Sequence, residues 1–228
     1  MLLVAKREER AVSLRPVSVV DGVYDNIYER LMSLEIAPGA RIAIDALARD
    51  LDISQTPVRE ALSRLEREGL VRKAHLIGYS AAPQLTRKQF DDLYAVRLLL
   101  EPEGARLAAL NMTPEALAEV ETAAADMQNG GAPVDSKSRY SRFARADAHF
   151  HDAILQIGGN TVMRQALSGQ HIHLHIFRLM FHARVTAEAL DEHESLLAAF
   201  RARDPAAAET AMRDHIHRSK DRLLPAFE

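Results

Sequence analysis

Asp147 and His151 stand four residues apart, a spacing that puts both side chains on one face of a helix. His193 lies in Asp191-Glu192-His193-Glu194, and His215 lies in Asp214-His215-Ile216. Three helices of a bundle can aim this one carboxylate and three imidazoles at a single point. Oxygen and nitrogen donors of that kind suit zinc, nickel, manganese or iron. Four protein ligands on an ion that accepts five or six leave positions for water or a carboxylate. Phe150, Ile154 and Leu155 half-bury the helix that carries Asp147 and His151, and a buried carboxylate or imidazole needs a partner. The chain has ten histidines, so spacing alone leaves an ordinary buried or surface histidine open at each position. His171, His175 and His182 share a second face, with His173 turned away from it. They either line a cavity beside the ion or are simply exposed on a bundle helix. His149 and His217 sit two residues from proposed ligands and point off the site face.

The elements that must position these groups are helical. Thr86 opens a long helix to Asn111, with Pro102 predicting a kink or break near Leu100. Thr113-Pro114-Glu115 opens the next, which ends at Asn129-Gly130-Gly131. Further helices run from about 138 to 157, from Thr161 to about 183, from about 186 to 203 and from Pro205 to about 224. That makes six helices and no strands after residue 84.

The first part of the chain is patterned differently. In SQTPVREALSRLEREGL, residues 54–70, Val58, Ala61, Leu62 and Leu65 recur at i, i+3, i+4 and i+7, one apolar stripe on a helix. Ser54 can cap its start, Pro57 fits the first turn and Gly69 supplies the stop. Thr56, Arg59, Ser63 and Arg67 fall off the stripe, towards solvent or a partner. A helix from Val19 to Leu34 and a short one from Asp45 to Leu51, with Asp45 as its cap, lead in. Two short helices joined by a tight turn at Asp52-Ile53-Ser54 form a helix-turn-helix. Leu70 to Lys73 and Gly78 to Ala81 then read as a two-stranded hairpin with its tip between Lys73 and Gly78. The fold class is thus mainly α: an N-terminal winged helix-turn-helix at 18–83 after a flexible tail at 1–17, then a C-terminal all-helical bundle at 84–228.

Composition excludes several functions. Without cysteine there is no disulfide, no thiolate nucleophile and no Cys-based zinc site. No run approaches the length of a membrane span, and the opening MLLVAKREERAVSLRP has too short an apolar run for a signal peptide. The net charge of −3 argues against a protein that coats nucleic acid, but phosphate contact needs only a few well-placed cations. No general base or nucleophile motif stands out, so the chain is not expected to be an enzyme. A metal-dependent enzyme acting on a small carboxylate, or a helical domain merely stapled by an ion, are the competing readings.

Ile36-Ala37-Pro38-Gly39 with Arg41-Ile42, Leu47-Ala48, Ile53 to Leu62, and Leu65-Glu66-Arg67-Glu68-Gly69-Leu70-Val71 resemble the N-terminal domain of GntR-family bacterial transcription regulators. The resemblance implies double-stranded DNA as partner, a short palindromic operator, a homodimer and a bacterial cytoplasmic setting. It implies base contact by Arg59, Thr56 and Gln55, and contact by His75 and Gly78 at the wing tip. Arg41 and Lys73 are phosphate-contact candidates that set position without reading sequence. Gln55 departs from the arginine frequent in the family; glutamine pairs with adenine where arginine favours guanine. Asp147-x-x-Phe150-His151, Glu192-His193 and His215 resemble the FCD effector-binding domain of the FadR-like branch, as do Arg97-x-x-x-Glu101, Ala105 to Ala108 and Gly159-Asn160. That resemblance implies a divalent metal ion on Asp147, His151, His193 and His215, and a small organic acid effector beside it. Effector-binding candidates are Arg97, His171 and His175. Arg97 can grip a carboxylate bidentately or pair with Glu101 within its own helix.

Overall fold

The computed structural model describes residues 18–128, 136–179 and 184–228. The expected tail at 1–17, the loop after residue 129 and His182 lie outside them.

Helix α1 (Val19–Met32) is capped by Ser18, whose hydroxyl accepts from the Asp21 amide. It buries Val23, Ile27 and Leu31 against the recognition-type helix α3 (Gln55–Arg67). The stripe Val58, Ala61, Leu62 and Leu65 has no solvent exposure. Each such large aliphatic side chain contributes about 1.5–3 kcal/mol when fully buried, so the periodic residues fix which side of α3 remains free. Between them lies α2 (Ile44–Asp50), one residue earlier than expected, with Ala43 rather than Asp45 at its cap position. Ser54 does occupy the cap position of α3, but its side chain makes no capping bond. The turn between α2 and α3 carries Asp52 at φ 51°, a left-handed conformation that aspartate tolerates better than most residues.

The wing forms from β2 (Val71–Ala74) and β3 (Gly78–Ala81), paired antiparallel with Lys73 opposite Tyr79. A third strand, β1 (Arg41–Ile42), was not expected; it adds to the other edge of β3, giving the order β1-β3-β2. Two residues are too few for a period-2 pattern to show.

The helical part comprises α4 (Arg87–Leu110), α5 (Pro114–Gln128), α6 (Ser136–Gly158), α7 (Thr161–Ser168), α8 (Ile172–Phe177), α9 (Arg184–Ala202), α10 (Pro205–Leu223) and a 3-10 turn at Leu224–Phe227. Thr86 and Gln89 close a capping box on α4. Pro102 does not break α4, which runs through it. The proline is buried, and packing of α4 against α10 and α6 holds the helix despite the missing N–H. Two glycines set how closely α4 and α6 approach: a β-carbon on Gly158 would lie 2.9 Å from the Gly104 carbonyl oxygen. The expected single helix from Thr161 to about 183 is two helices. Gly169 and Gln170 end α7, and His171 adopts φ 45° before α8 starts afresh.

Candidate functional site

Helix α6 presents Asp147 and His151, α9 presents His193 and α10 presents His215; exposure of all four is 3 % or less. One ring nitrogen from each of His151, His193 and His215 lies within 4.8 Å of the other two. Asp147 Oδ1 is 3.4 Å from His193 Nε2. His151 Nε2 and both ring nitrogens of His193 are buried with no hydrogen-bond partner among the described residues. Orphaned nitrogens of this kind cost about 1–3 kcal/mol each, and a divalent cation would satisfy them. Burial, reinforced by neighbouring imidazoles, pushes His193 well below the ordinary histidine range and lowers His151 and His215 as well. The rings are therefore neutral, the form that binds metal. Burial alone would raise Asp147, but the hydrogen bond from His173 leads the effects that outweigh it and hold the carboxylate ionised. The donor set and its protonation thus fit a metal ion.

Two carboxylates orient these rings. His151 Nδ1 bonds Glu101 Oε2 at 2.8 Å, and His215 Nδ1 bonds Glu192 Oε2 at 2.8 Å. Each bond fixes a tautomer and leaves Nε2 as the lone-pair donor. Glu192 is in turn braced by Arg222. Arg97 grips Glu101 with Nε at 2.6 Å and Nη2 at 3.2 Å. Of the two readings of Arg97, the intrahelical pair is the one formed. Burial favours the neutral form of Glu101, yet Arg97 and His151 overcome it and hold the carboxylate well below its usual range. Glu101, Glu192 and Arg222 were not singled out in sequence as supports, although the Arg97–Glu101 spacing was visible. Glu192→Ala is expected to lower metal affinity about 10–100-fold, the usual effect of losing an outer carboxylate, as read by competition with a chelator.

His173 corrects the sequence expectation. It faces the cluster: Nδ1 is 3.0 Å from Asp147 Oδ2, and its ring centre is 4.3 Å from that of His151. The expectation assumed one continuous helix from Thr161; the break at His171 resets the phase, so His173 turns inward. His171 and His175 turn the other way. His171 Nε2 lies 2.8 Å from the Arg67 carbonyl oxygen. His175 Nε2 sits 3.2 Å from where a β-carbon on Gly69 would be, away from the cluster, and burial with Arg178 nearby lowers it to about 4. His149 and His217 are exposed. A pocket of about 400 Å³ opens beside the cluster, lined by His151, His173, Arg164, Gln165, Ser168 and His171. Arg164 at its rim is held bidentately by Asp152.

In the N-terminal part, Gln55, Thr56 and Arg59 are exposed on the first turns of α3. Arg59 Nη2 donates to Gln55 Oε1 at 3.1 Å, so the two residues form one polar unit. Arg41, Lys73, His75 and Gly78 are exposed on β1 and the wing. Lys73 lies over the Tyr79 ring, 5.6 Å from its centre.

A winged helix-turn-helix joined to a helical domain with a buried histidine centre defines a class of DNA-binding regulators rather than enzymes. Residues 20–79 match the bacterial regulatory proteins of the gntR family, and residues 92–218 match the FCD domain. The chain belongs to the GntR family of transcriptional regulators, with an FCD domain at its C-terminal side. It is 28% identical over 218 residues to the HTH-type transcriptional regulator LutR of Bacillus subtilis, covering 85% of this chain and 96% of that one. It is 28% identical over 204 residues to a probable D-xylose utilization operon transcriptional repressor of Paenarthrobacter nicotinovorans, covering 89% and 88%. The solved structure of Escherichia coli McbR/YncC has the same fold, with a TM-score of 0.67 at 23% identity over 93% of this chain and all of that one. Among the described residues, no helix is long and apolar enough to cross a membrane.

Proposed function

We propose that the chain is a repressor that binds a short palindromic operator as a homodimer in the bacterial cytoplasm and releases it when a small organic acid binds beside a divalent ion. The observation that carries this reading is the set of buried imidazole nitrogens without partners next to Asp147, beside a pocket large enough for a small acid. Asp147, His151, His193 and His215 would hold zinc, nickel, manganese or iron, and an ion held by four protein groups has positions left to polarise and orient an incoming carboxylate. Arg97, which lines a small cavity with Asp147, His173 and His215 while paired with Glu101, and His171, which lines the larger pocket, would face the effector. Gln55, Thr56 and Arg59 would read bases, Arg41 and Lys73 would contact phosphates, and His75 and Gly78 would reach the groove beside the wing. The boundary between the two parts falls at residues 83 and 84. The repressing sign is drawn from the Paenarthrobacter relative's printed description.

The purified protein is expected to retard DNA carrying its own upstream region at low salt, and one member of a panel of small carboxylic acids is expected to reverse that retardation only in the metal-loaded protein. Retardation that no metal and acid together alter would sink the effector reading. No retardation at all would sink the operator reading.

A further inference from the structure

The six-residue helix α8 touches both sites at once. On its inward side His173 bonds Asp147 and lines the pocket together with His151. His175, two residues on, lies roughly 200° around the helix and packs on Gly69, just past the end of α3. At the two ends of α8 the contacts continue. His171 Nε2 meets the Arg67 carbonyl oxygen, the last residue of α3. Arg178, 1 % exposed, donates through Nη2 to the Ala82 carbonyl oxygen at 2.8 Å, beside the end of β3. Gln84 Nε2 returns a bond of 2.9 Å to the Arg178 carbonyl oxygen. Burial lowers Arg178 to about 10, and its Nε and Nη1 have no partner among the described residues. The clamp is thus incompletely satisfied.

A second bridge joins the two parts, and it is built differently. Arg145 on α6 reaches Asp25 on α1 at 2.9 Å and lies 4.3 Å from the centre of the Tyr28 ring. Helix α6 has 23 residues and is packed by α4 and α5 along its length, so it serves as the fixed side. Helix α8 has six residues, follows a break at a left-handed residue, and is held to α6 through Phe177, whose carbonyl accepts from Tyr140 and whose ring packs on Phe143.

We propose that His173 is the residue that senses what occupies the pocket, and that α8 carries its displacement to the end of α3 and the base of the wing. This rests on the effector reading above and names its route. A carboxylate entering beside His151 meets the His173 ring. Moving that ring moves α8 as a unit, and the Arg67, Gly69 and Ala82 contacts on its far side shift with it. The winged helix then pivots about the α1–α6 bridge. His173 acts by position, and by reciprocity DNA binding weakens acid binding by the same factor.

The absence of cysteine allows spin labels to be placed at Ser63→Cys on α3 and Leu110→Cys at the end of α4, both exposed. Distances between them are read in the full chain without DNA or ligand. His173→Ala and Arg178→Leu are each expected to broaden the wild-type distribution, whereas His173→Gln, which can still donate to Asp147, keeps it narrow. A His173→Ala distribution as narrow as wild type overturns the proposal whatever the fate of the effector reading. In the zinc-loaded protein with citrate as probe, citrate is expected to weaken operator binding by roughly tenfold in wild type. At citrate concentrations that saturate each protein, His173→Ala should reduce that effect on DNA to below about twofold. Full transmission in His173→Ala also overturns the proposal, whereas a wild type blind to citrate and to every other acid tried removes the effector reading and leaves the label distances to decide.

Discussion

Arg59→Ala is expected to weaken operator binding by about 5–150-fold, the 1–3 kcal/mol carried by one good base contact, while leaving thermal stability unchanged. Arg59 is exposed and, among the described residues, its one hydrogen bond is to Gln55, so the fold loses little with it. In the free protein that bond occupies the Gln55 oxygen. To read adenine bidentately, Gln55 needs both its oxygen and its amide nitrogen, so Arg59 must let go as the helix enters the groove. The pair is therefore coupled: Gln55→Ala in an Arg59→Ala background should cost less than in wild type. Gln55→Arg should move preference towards guanine at the facing base. Lys73→Ala and Arg41→Ala should behave otherwise, weakening all sequences alike and lowering the salt slope by about one each. Fluorescence anisotropy on the operator and on scrambled DNA across a salt series separates the two kinds of contact. If Arg59→Ala binds the operator as tightly as wild type, α3 does not read bases through this residue.

The two parts of the molecule were legible in sequence to different depths, for a physical reason. The α3 stripe repeats every three or four residues and buries completely, so periodicity reveals both the helix and its free face. Strand β1 has two residues and no period to read. Asp147, His151, His193 and His215, which the fold brings together, were singled out because an i, i+4 pair and the family resemblance marked them. His173 was placed on the wrong side because one irregular residue, His171 at φ 45°, rotates everything after it. A non-glycine residue in that conformation announces itself poorly in sequence, since its energy is met by tertiary contacts, here the Arg67 carbonyl. Of the kink or break expected at Pro102, the break does not occur: α4 runs through the proline, held by its packing. Glu101 and Glu192 serve the site from outside its ligand set, and spacing along one helix cannot show a bond made to another.

Removing bound metal is expected to lower the melting temperature by about 5–10 °C, from the roughly 2.7 kcal/mol that a ligand at a hundred times its dissociation constant supplies and the usual 2–4 °C per kcal/mol for a chain of this size. His193→Leu should abolish the metal-dependent shift and at the same time raise the melting temperature of the metal-free protein. Both ring nitrogens of His193 are buried without a partner among the described residues, so an apolar side chain relieves a desolvation penalty of about 1–3 kcal/mol. A histidine kept only for packing predicts the reverse, with metal response intact and metal-free stability reduced. Acid distinguishes the two states further. His151, His193 and His215 are all held below the ordinary histidine range by burial. Below about pH 6.5 the unfolded chain therefore takes up protons that the folded chain refuses, and the metal-free protein loses stability as pH falls through that range. His193→Leu deletes one of those groups and should flatten the slope. Calorimetry with and without zinc, between pH 5.5 and 8, reads all three effects. Metal-free His193→Leu melting below wild type at every pH would show that the buried nitrogens are not the strained feature that an ion relieves.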